Sequence, residues 1–270
     1  MYQLSGVTKT YHKGRGTVAA LRGVDLVIED GEWLAIQGPT GHGKSTLLQI
    51  LGALDRPSSG IVDFDGRDLA QLREAEVTKV RAQSIGFVFQ TFNLIPTLSA
   101  LENVEAALVP LGVGSAVRRQ RAAMALEAVG LGDRLRHVPG ELSGGQQQRV
   151  AVARALVKEP KVLLADEPTG NLDEDTRDDI IGLLETMWRE RGLTMVLVTH
   201  DSSIARRAQR IGVMKNGRLG LRQSRSGQAA RVQAPRTDGS GSTGDDAELD
   251  DDVDDFDDPD SEAADTITFD

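Results

Sequence analysis

The chain contains no cysteine among its 270 residues. A disulfide scaffold, a cysteine-ligated zinc site and a catalytic thiol are therefore excluded. Long apolar runs are missing as well: one of the longest, Met195–Val198, falls far short of the roughly 18 residues that a membrane-spanning helix needs. The first residues lack the basic and apolar segments of a signal peptide. We therefore expect a cytoplasmic protein that is long enough to bury a sizeable core.

Basic residues are missing from the C-terminal part of the chain. Residues 237–270 contain 15 Asp and Glu but no Lys or Arg. All 31 Lys and Arg lie earlier, so the formal net charge of −10 describes neither part. Residues 237–244 have the Gly- and Ser-rich composition of a linker, and an Asp-rich run follows. This composition predicts one folded domain, residues 1–222, followed by a disordered linker and acidic tail, residues 223–270.

Strand-like and helical patterns alternate along the folded part. Short β-branched and aliphatic runs separated by helical patterns predict an α/β fold with a mainly parallel sheet. The dipeptides Asp65-Gly66 and Asn216-Gly217 are typical of tight hairpin turns and predict antiparallel edges. Residues 97–157 are almost wholly helical in pattern and lie between two core strands, which predicts an inserted helical subdomain. The predicted core strands are Glu32–Gln37, Ile85–Gln90, Val162–Asp166 and Met195–Thr199.

One segment matches the pattern G-x-x-x-x-G-K-[ST] between a predicted strand and a predicted helix, the context that this motif requires. Its glycines let backbone N–H groups turn towards phosphate oxygens, and the helix N-terminus adds positive partial charge. We expect Lys44 to reach the β- and γ-phosphates, the Ser45 hydroxyl to bind Mg²⁺, and the side chain of His42 to point outward. The nine residues of this loop are Gly38, Pro39, Thr40, Gly41, His42, Gly43, Lys44, Ser45 and Thr46.

A second acidic motif lies far downstream, where the apolar run Val162–Ala165 ends in Asp166 and Glu167. At the carboxyl end of a parallel sheet, Asp166 is expected beside the Mg²⁺ ion. Glu167 is then placed to orient and deprotonate a water for attack on the γ-phosphate. Taken alone, the pattern also fits a strand that ends in a solvated acidic turn.

The octet Leu142–Arg149, which reads Leu-Ser-Gly-Gly-Gln-Gln-Gln-Arg, precedes an apolar-striped helix and resembles the signature motif of ATP-binding cassette (ABC) proteins. The phosphate loop and the Asp166-Glu167 strand resemble the Walker A and Walker B motifs of that family. The resemblance covers about residues 1–222 and implies a P-loop NTPase core with an antiparallel β edge and a helical subdomain at about 91–157. The signature residues that it assigns to nucleotide binding are Ser143, Gly144, Gly145 and Gln146.

The resemblance also assigns roles to single residues. Tyr11 resembles the aromatic residue that stacks on adenine, and Gln90 resembles the Q-loop glutamine that contacts Mg²⁺ or water. Asp173 resembles the D-loop aspartate that bridges two cassettes, and His200 the switch histidine that contacts the γ-phosphate. A half-buried surface tyrosine and a solvated histidine remain alternatives. The implied catalytic residues are Lys44, Glu167 and His200, and the implied Mg²⁺ ligands are Ser45, Gln90 and Asp166.

The resemblance also implies a function: the chain is expected to be the subunit of a transporter that hydrolyses ATP, with Mg²⁺ as the metal cofactor. It implies a head-to-tail dimer with a second copy or a paralogous cassette, and a separately encoded membrane permease that holds the dimer on the cytoplasmic face. The segments Gly86–Pro96 and Asp166–Asp173 resemble the branch of lipoprotein-release, macrolide-export and cell-division ATPases. We therefore expect export or lipoprotein release.

Two alternatives stay open at this stage. A cell-division-type cassette acts as a mechanical switch that controls a cell-envelope enzyme through its membrane partner. A soluble cassette acting on nucleic acid is disfavoured because residues 47–141 contain no long heptad array and no cysteine; no direct nucleic-acid contact is expected. The basic residues within 205–236 predict a solvated surface or weak contact with anionic lipid. The acidic tail is expected to aid solubility or to fold back on that basic segment.

Overall fold

The computed structural model describes residues 1–14 and 16–223. The predicted linker and acidic tail therefore lie outside the described residues, except for Gln223. The strands are β1 (Tyr2–Lys13), β2 (Gly16–Ile28), β3 (Trp33–Gln37), β4 (Ser59–Phe64), β5 (Arg67–Asp68), β6 (Ile85–Phe89), β7 (Val162–Asp166), β8 (Thr194–Val198), β9 (Arg210–Lys215) and β10 (Arg218–Gln223). The α-helices are α1 (Lys44–Leu51), α2 (Glu74–Ser84), α3 (Ala100–Glu105), α4 (Ser115–Ala128), α5 (Gly144–Leu156), α6 (Glu174–Arg191) and α7 (Ser202–Ala205).

A six-stranded sheet in the order β10-β9-β3-β8-β7-β6 forms the centre of the fold. Every pair from β9 to β6 is parallel, and only β10 runs antiparallel. Strands β3 and β8 are buried along their whole length, as expected when helices cover both faces of a parallel sheet. The predicted α/β fold is confirmed. The bounds of β7 are as predicted. Those of β3 and β6 differ by one residue at one end, and β8 begins and ends one residue earlier than predicted.

A second sheet, in the order β2-β1-β4-β5, is antiparallel throughout the described part of the chain. The turn Asp65-Gly66 joins β4 to β5, and Asn216-Gly217 joins β9 to β10. All four turn residues have positive φ, between 50° and 77°, the backbone that a two-residue type I′ hairpin turn requires. Both predicted hairpins are confirmed.

The stretch predicted to be helical contains α3, α4 and α5, with 3₁₀ turns at Ala106–Leu111 and Pro139–Glu141. It connects β6 to β7, which are paired neighbours in the central sheet. Its buried residues, among them Val104, Leu126 and Val152, share one apolar core with residues of β7 and β8. The extent of a separate subdomain, about 91–157, stays a prediction. Among the described residues, no helix is both long and apolar enough to cross a membrane.

Candidate nucleotide-binding site

The loop between β3 and α1 has a backbone that only glycine readily adopts at several positions. Gly38, Gly41 and Gly43 have φ of 148°, 79° and 101°. A Cβ atom on Gly38 would lie 2.2 Å from the Met214 carbonyl oxygen, and one on Gly43 would lie 2.4 Å from that of Ala20. These glycines thus allow both the turn and its close approach to β9 and β2.

Lys44 is the first residue of α1, and its side chain is buried. Its Nζ atom donates to the carbonyl oxygens of Gly38 at 2.7 Å and Pro39 at 3.1 Å. The ammonium group is therefore held by the same loop that the sequence predicts to bind phosphate.

A cavity of about 520 Å³ lies beside this loop. It brings together residues from three distant parts of the predicted site, including Tyr11, Gln90 and Glu167. Val18 and Ala20 of β2 were not predicted, because small apolar residues in a partly exposed strand carry no recognisable signal. The lining residues are Tyr11, Val18, Ala20, Thr40, Gly41, Gly43, Lys44, Ser45, Thr46, Gln90, Asp166 and Glu167.

Asp166, the last residue of β7, is hydrogen-bonded to the phosphate loop. The Ser45 hydroxyl donates to Oδ1 of Asp166 at 3.2 Å. Burial raises the pKa of Asp166 above its ordinary value, although the hydrogen bond from Ser45 acts in the opposite direction. The carboxylate of Asp166 and the hydroxyl of Ser45, two of the three predicted Mg²⁺ ligands, thus lie in contact.

Glu167 has a φ of 44°, a backbone that is unusual for a residue other than glycine. Its N–H donates to the carbonyl of Val198 at 2.9 Å, which bridges the ends of β7 and β8. His200 follows β8, and its Nδ1 atom lies 3.1 Å from Oε2 of Glu167. The structure thereby brings two of the three predicted catalytic side chains into contact.

Gln90 follows β6 and is hydrogen-bonded to Asn171, a residue to which no role was assigned from the sequence. Its Nε2 atom donates to Oδ1 of Asn171 at 3.3 Å, and Nδ2 of Asn171 donates to the Gln90 carbonyl at 3.1 Å. Asp173 lies two residues further on and caps α6. The backbone N–H of Thr176 donates to Asp173 at 3.0 Å and lowers the pKa of that carboxyl.

The signature residues form a separate group. Ser143 caps α5 through a reciprocal pair, in which its Oγ accepts from the Gln146 N–H at 3.3 Å and Oε1 of Gln146 accepts from the Ser143 N–H at 2.9 Å. None of Ser143, Gly144, Gly145 and Gln146 lines the cavity beside the phosphate loop.

Gln148 connects the signature helix with the acidic motif of the same chain. Its side chain is fully buried, and its Nε2 atom donates to the carbonyl of Pro168, the residue after Glu167. This role was not predicted, and its one visible sign in the sequence is that Gln148 is the third glutamine of the octet.

His42 contacts a hairpin turn that is distant in the sequence. Its Nδ1 atom accepts from the Asn216 N–H at 3.1 Å, and its carbonyl accepts from the Gly217 N–H at 3.2 Å. The half-buried side chain thus contacts the β9–β10 turn and does not line the cavity, so it points away from the predicted phosphate site. Gly38 and Pro39 also lie outside the lining and contribute carbonyl groups to Lys44.

Comparisons with known proteins agree with this geometry. The family model described as "ABC transporter" matches residues 21–170. The uncharacterized ABC transporter ATP-binding protein YknY of Bacillus subtilis is 49% identical over 219 residues, which make up 81% of this chain and 95% of that protein. The macrolide export ATP-binding/permease protein MacB 1/2 of Paracoccus denitrificans is 46% identical over 87% of this chain, which spans only 35% of MacB.

Among solved structures, the chain is similar to the ATP-binding cassette MJ0796 in a dimeric post-hydrolysis state bound to ADP and Pi. The TM-score is 0.78 at 46% sequence identity, and the match covers 83% of this chain and 99% of that one. Sequence motifs, cavity geometry and both kinds of comparison converge: the chain belongs to the ABC transporter family, as an ATP-binding cassette that hydrolyses ATP.

Proposed function

We propose that this cassette drives an exporter or a lipoprotein-release system by acting on a membrane permease. One observation carries the proposal: a single cavity joins the phosphate loop of Lys44, the carboxylate of Asp166 and the carboxylate of Glu167. The similarity to MacB, a protein named for macrolide export and for a permease, supports the class of system. The permease holds the cassette at the cytoplasmic face of the membrane.

The cavity binds ATP through its backbone and Lys44. The N–H groups of the glycine-rich loop and the N-terminus of α1 donate to the phosphate oxygens. Lys44 exchanges the carbonyls of Gly38 and Pro39 for the β- and γ-phosphates, because a charge-assisted hydrogen bond is stronger than one to a neutral carbonyl. Tyr11, at the rim, stacks on the adenine base.

The donor set fits Mg²⁺. The Ser45 hydroxyl, an Asp166 carboxylate oxygen and the Gln90 amide oxygen are hard oxygen donors from three segments that line one cavity. A Mg²⁺ ion held by these residues would neutralise phosphate charge and so would assist the transfer of the γ-phosphoryl group. The contact between Ser45 and Asp166 supports this assignment.

Glu167 acts as the general base. It accepts a proton from water as the water oxygen bonds to the γ-phosphorus, and the bond from that phosphorus to the β,γ-bridging oxygen breaks, which gives ADP and phosphate. His200 orients the Glu167 carboxylate through Nδ1 and contacts the γ-phosphate.

A second copy completes the site. Ser143, Gly144, Gly145 and Gln146 at the start of α5, together with Asp173, close over the nucleotide of the partner cassette, where they exclude water and stabilise negative charge. Two observations support this dimer. These residues do not line the cavity of their own chain, and the similar cassette MJ0796 is dimeric. A two-fold axis gives two equal sites.

The test is Glu167→Gln. We expect this variant to bind ATP with Mg²⁺, to hydrolyse it at least about 100-fold more slowly than the wild type, as for other lost general bases, and to accumulate as a dimer. Light scattering after gel filtration measures the mass, and a phosphate-release assay measures turnover.

Lys44→Ala in the same background is the matched control and should return the protein to monomer, because it loses the nucleotide. The proposal would be contradicted if Glu167→Gln hydrolysed ATP at a near-normal rate. It would also be contradicted if this variant stayed monomeric when saturated with ATP.

A further inference from the structure

Three side chains form a closed arrangement at the rim of the nucleotide cavity, which we call the Tyr11 clamp: Lys9, Tyr11 and Asp55. The Tyr11 hydroxyl donates to Oδ2 of Asp55 at 2.7 Å. Lys9 donates through Nζ to Oδ1 of Asp55 at 2.5 Å and to the carbonyl of Arg56 at 2.7 Å. The same Nζ atom lies over the Tyr11 ring, 4.9 Å from its centroid.

The clamp leaves the two faces of the ring in different environments. The Lys9 ammonium covers one face, where a cation is attracted to the ring. The residue as a whole is still 36% exposed and lines the cavity. A planar base can therefore stack only on the face opposite Lys9.

The clamp also connects two parts of the nucleotide site. Lys9 and Tyr11 lie on β1, and Asp55 lies just beyond α1, the helix that begins at Lys44. The hydrogen bond from Tyr11 to Asp55 therefore fixes the ring relative to the helix that follows the phosphate loop. A ring held in this way loses little conformational freedom when a base stacks on it.

Charge supports the arrangement. Partial burial acts to raise the pKa of Asp55, but the hydrogen bonds from Lys9 and Tyr11 outweigh it and lower that pKa below its ordinary value. Asp55 is thus a carboxylate at neutral pH. The side chains of Lys9 and Asp55 are only 13% and 28% exposed, so water screens this ion pair less than a surface pair.

We propose that Asp55 and Lys9 are positioning residues that hold the Tyr11 ring with one face free, and that they set the affinity for the base of the nucleotide but not for its triphosphate. The inference rests on the proposed binding of ATP in this cavity and assigns the base-recognition part of it.

The experiment compares two ligands, ATP and inorganic tripolyphosphate, each with Mg²⁺, by calorimetry in the Glu167→Gln background. Asp55→Ala should bind ATP about 3- to 10-fold more weakly, the loss expected for one hydrogen bond. Its affinity for tripolyphosphate should stay within about twofold, because the changed residue does not face the phosphates. Lys9→Met should have the same effects on the two affinities. The control Glu190→Ala, at an exposed position, should change the affinity for neither ligand.

A double-mutant cycle with Tyr11→Ala separates positioning from general damage. If Asp55 acts through Tyr11, adding Asp55→Ala to Tyr11→Ala should cause no further loss of ATP affinity. Asp55→Asn keeps an oxygen that can accept a hydrogen bond from the Tyr11 hydroxyl, so its ATP affinity should fall less than that of Asp55→Ala. It replaces Asp55→Ala in the experiment if that variant fails to fold.

The inference would be overturned if Asp55→Ala weakened the binding of ATP and of tripolyphosphate equally. It would also be overturned if Asp55→Ala reduced the ATP affinity of Tyr11→Ala as much as it reduces that of the protein with Tyr11 intact. Failure of the parent protein to bind either ligand would instead contradict the proposed function.

Discussion

Nδ1 of His200 lies 3.1 Å from Oε2 of Glu167, although 33 positions separate the two residues. Each follows a strand of the central sheet, and these strands, β7 and β8, are parallel neighbours with Asp166 paired to Val198. Their carboxyl ends therefore meet at one edge, as in other open parallel sheets with a site at that edge.

This contact predicts the effect of His200→Ala. In the proposed mechanism, loss of the imidazole deprives Glu167 of the residue that orients it and the γ-phosphate of a donor, so we expect hydrolysis to slow by about 100-fold or more. Affinity for ATP, measured by calorimetry, should change little, because the phosphate loop is intact. The exposed His12→Ala is the control. A variant with normal turnover would show that the contact has no role in catalysis.

Gln148→Leu tests the connection between α5 and the segment after Glu167. The substitution keeps a similar volume but leaves the buried carbonyl of Pro168 without the donor that Nε2 supplies. We expect the free energy of unfolding to fall by about 1–3 kcal/mol, the cost of a buried unsatisfied polar group. Urea denaturation measures it, with the exposed Gln120→Leu as control. Equal stability of Gln148→Leu and the wild type would contradict the structural role.

Lys158 should titrate far below an ordinary lysine. Burial lowers its pKa from 10.5 to about 8, while its Nζ atom donates to the Arg81 carbonyl at 2.8 Å. The unfolded chain binds this proton below about pH 10.5 and the folded chain only below about pH 8, so this lysine favours folding more as the pH rises between those values.

The free energy of unfolding of the wild type, relative to Lys158→Met, should therefore increase from pH 8 to pH 10, by at most about 1.4 kcal/mol per pH unit. Urea denaturation at pH 8, 9 and 10 checks this, and the exposed Lys79→Met provides the comparison. A difference between wild type and Lys158→Met that does not vary with pH would refute the lowered pKa.

Local patterns predicted much of the fold and several site residues. The run Val162–Asp166 forms β7 with the predicted bounds, and Asp65-Gly66 makes the predicted turn, because each is decided by neighbouring residues. The phosphate loop was equally visible, since its glycines and Lys44 are contiguous. The contact of His42 with Asn216 could not be predicted, because Asn216 lies on a distant hairpin.

The sequence by itself determined the family, the loop predicted to bind phosphate and the two carboxylates at the end of one strand, since each of these is a pattern of adjacent residues. Only the tertiary structure decided that Val18 and Ala20 line the cavity, that Gln148 bonds Pro168 and that Asp55 holds Tyr11. These contacts join segments that are distant in the chain. They depend on strand order and helix packing. These are decided by the burial of the whole core, so no single stretch of residues specifies them.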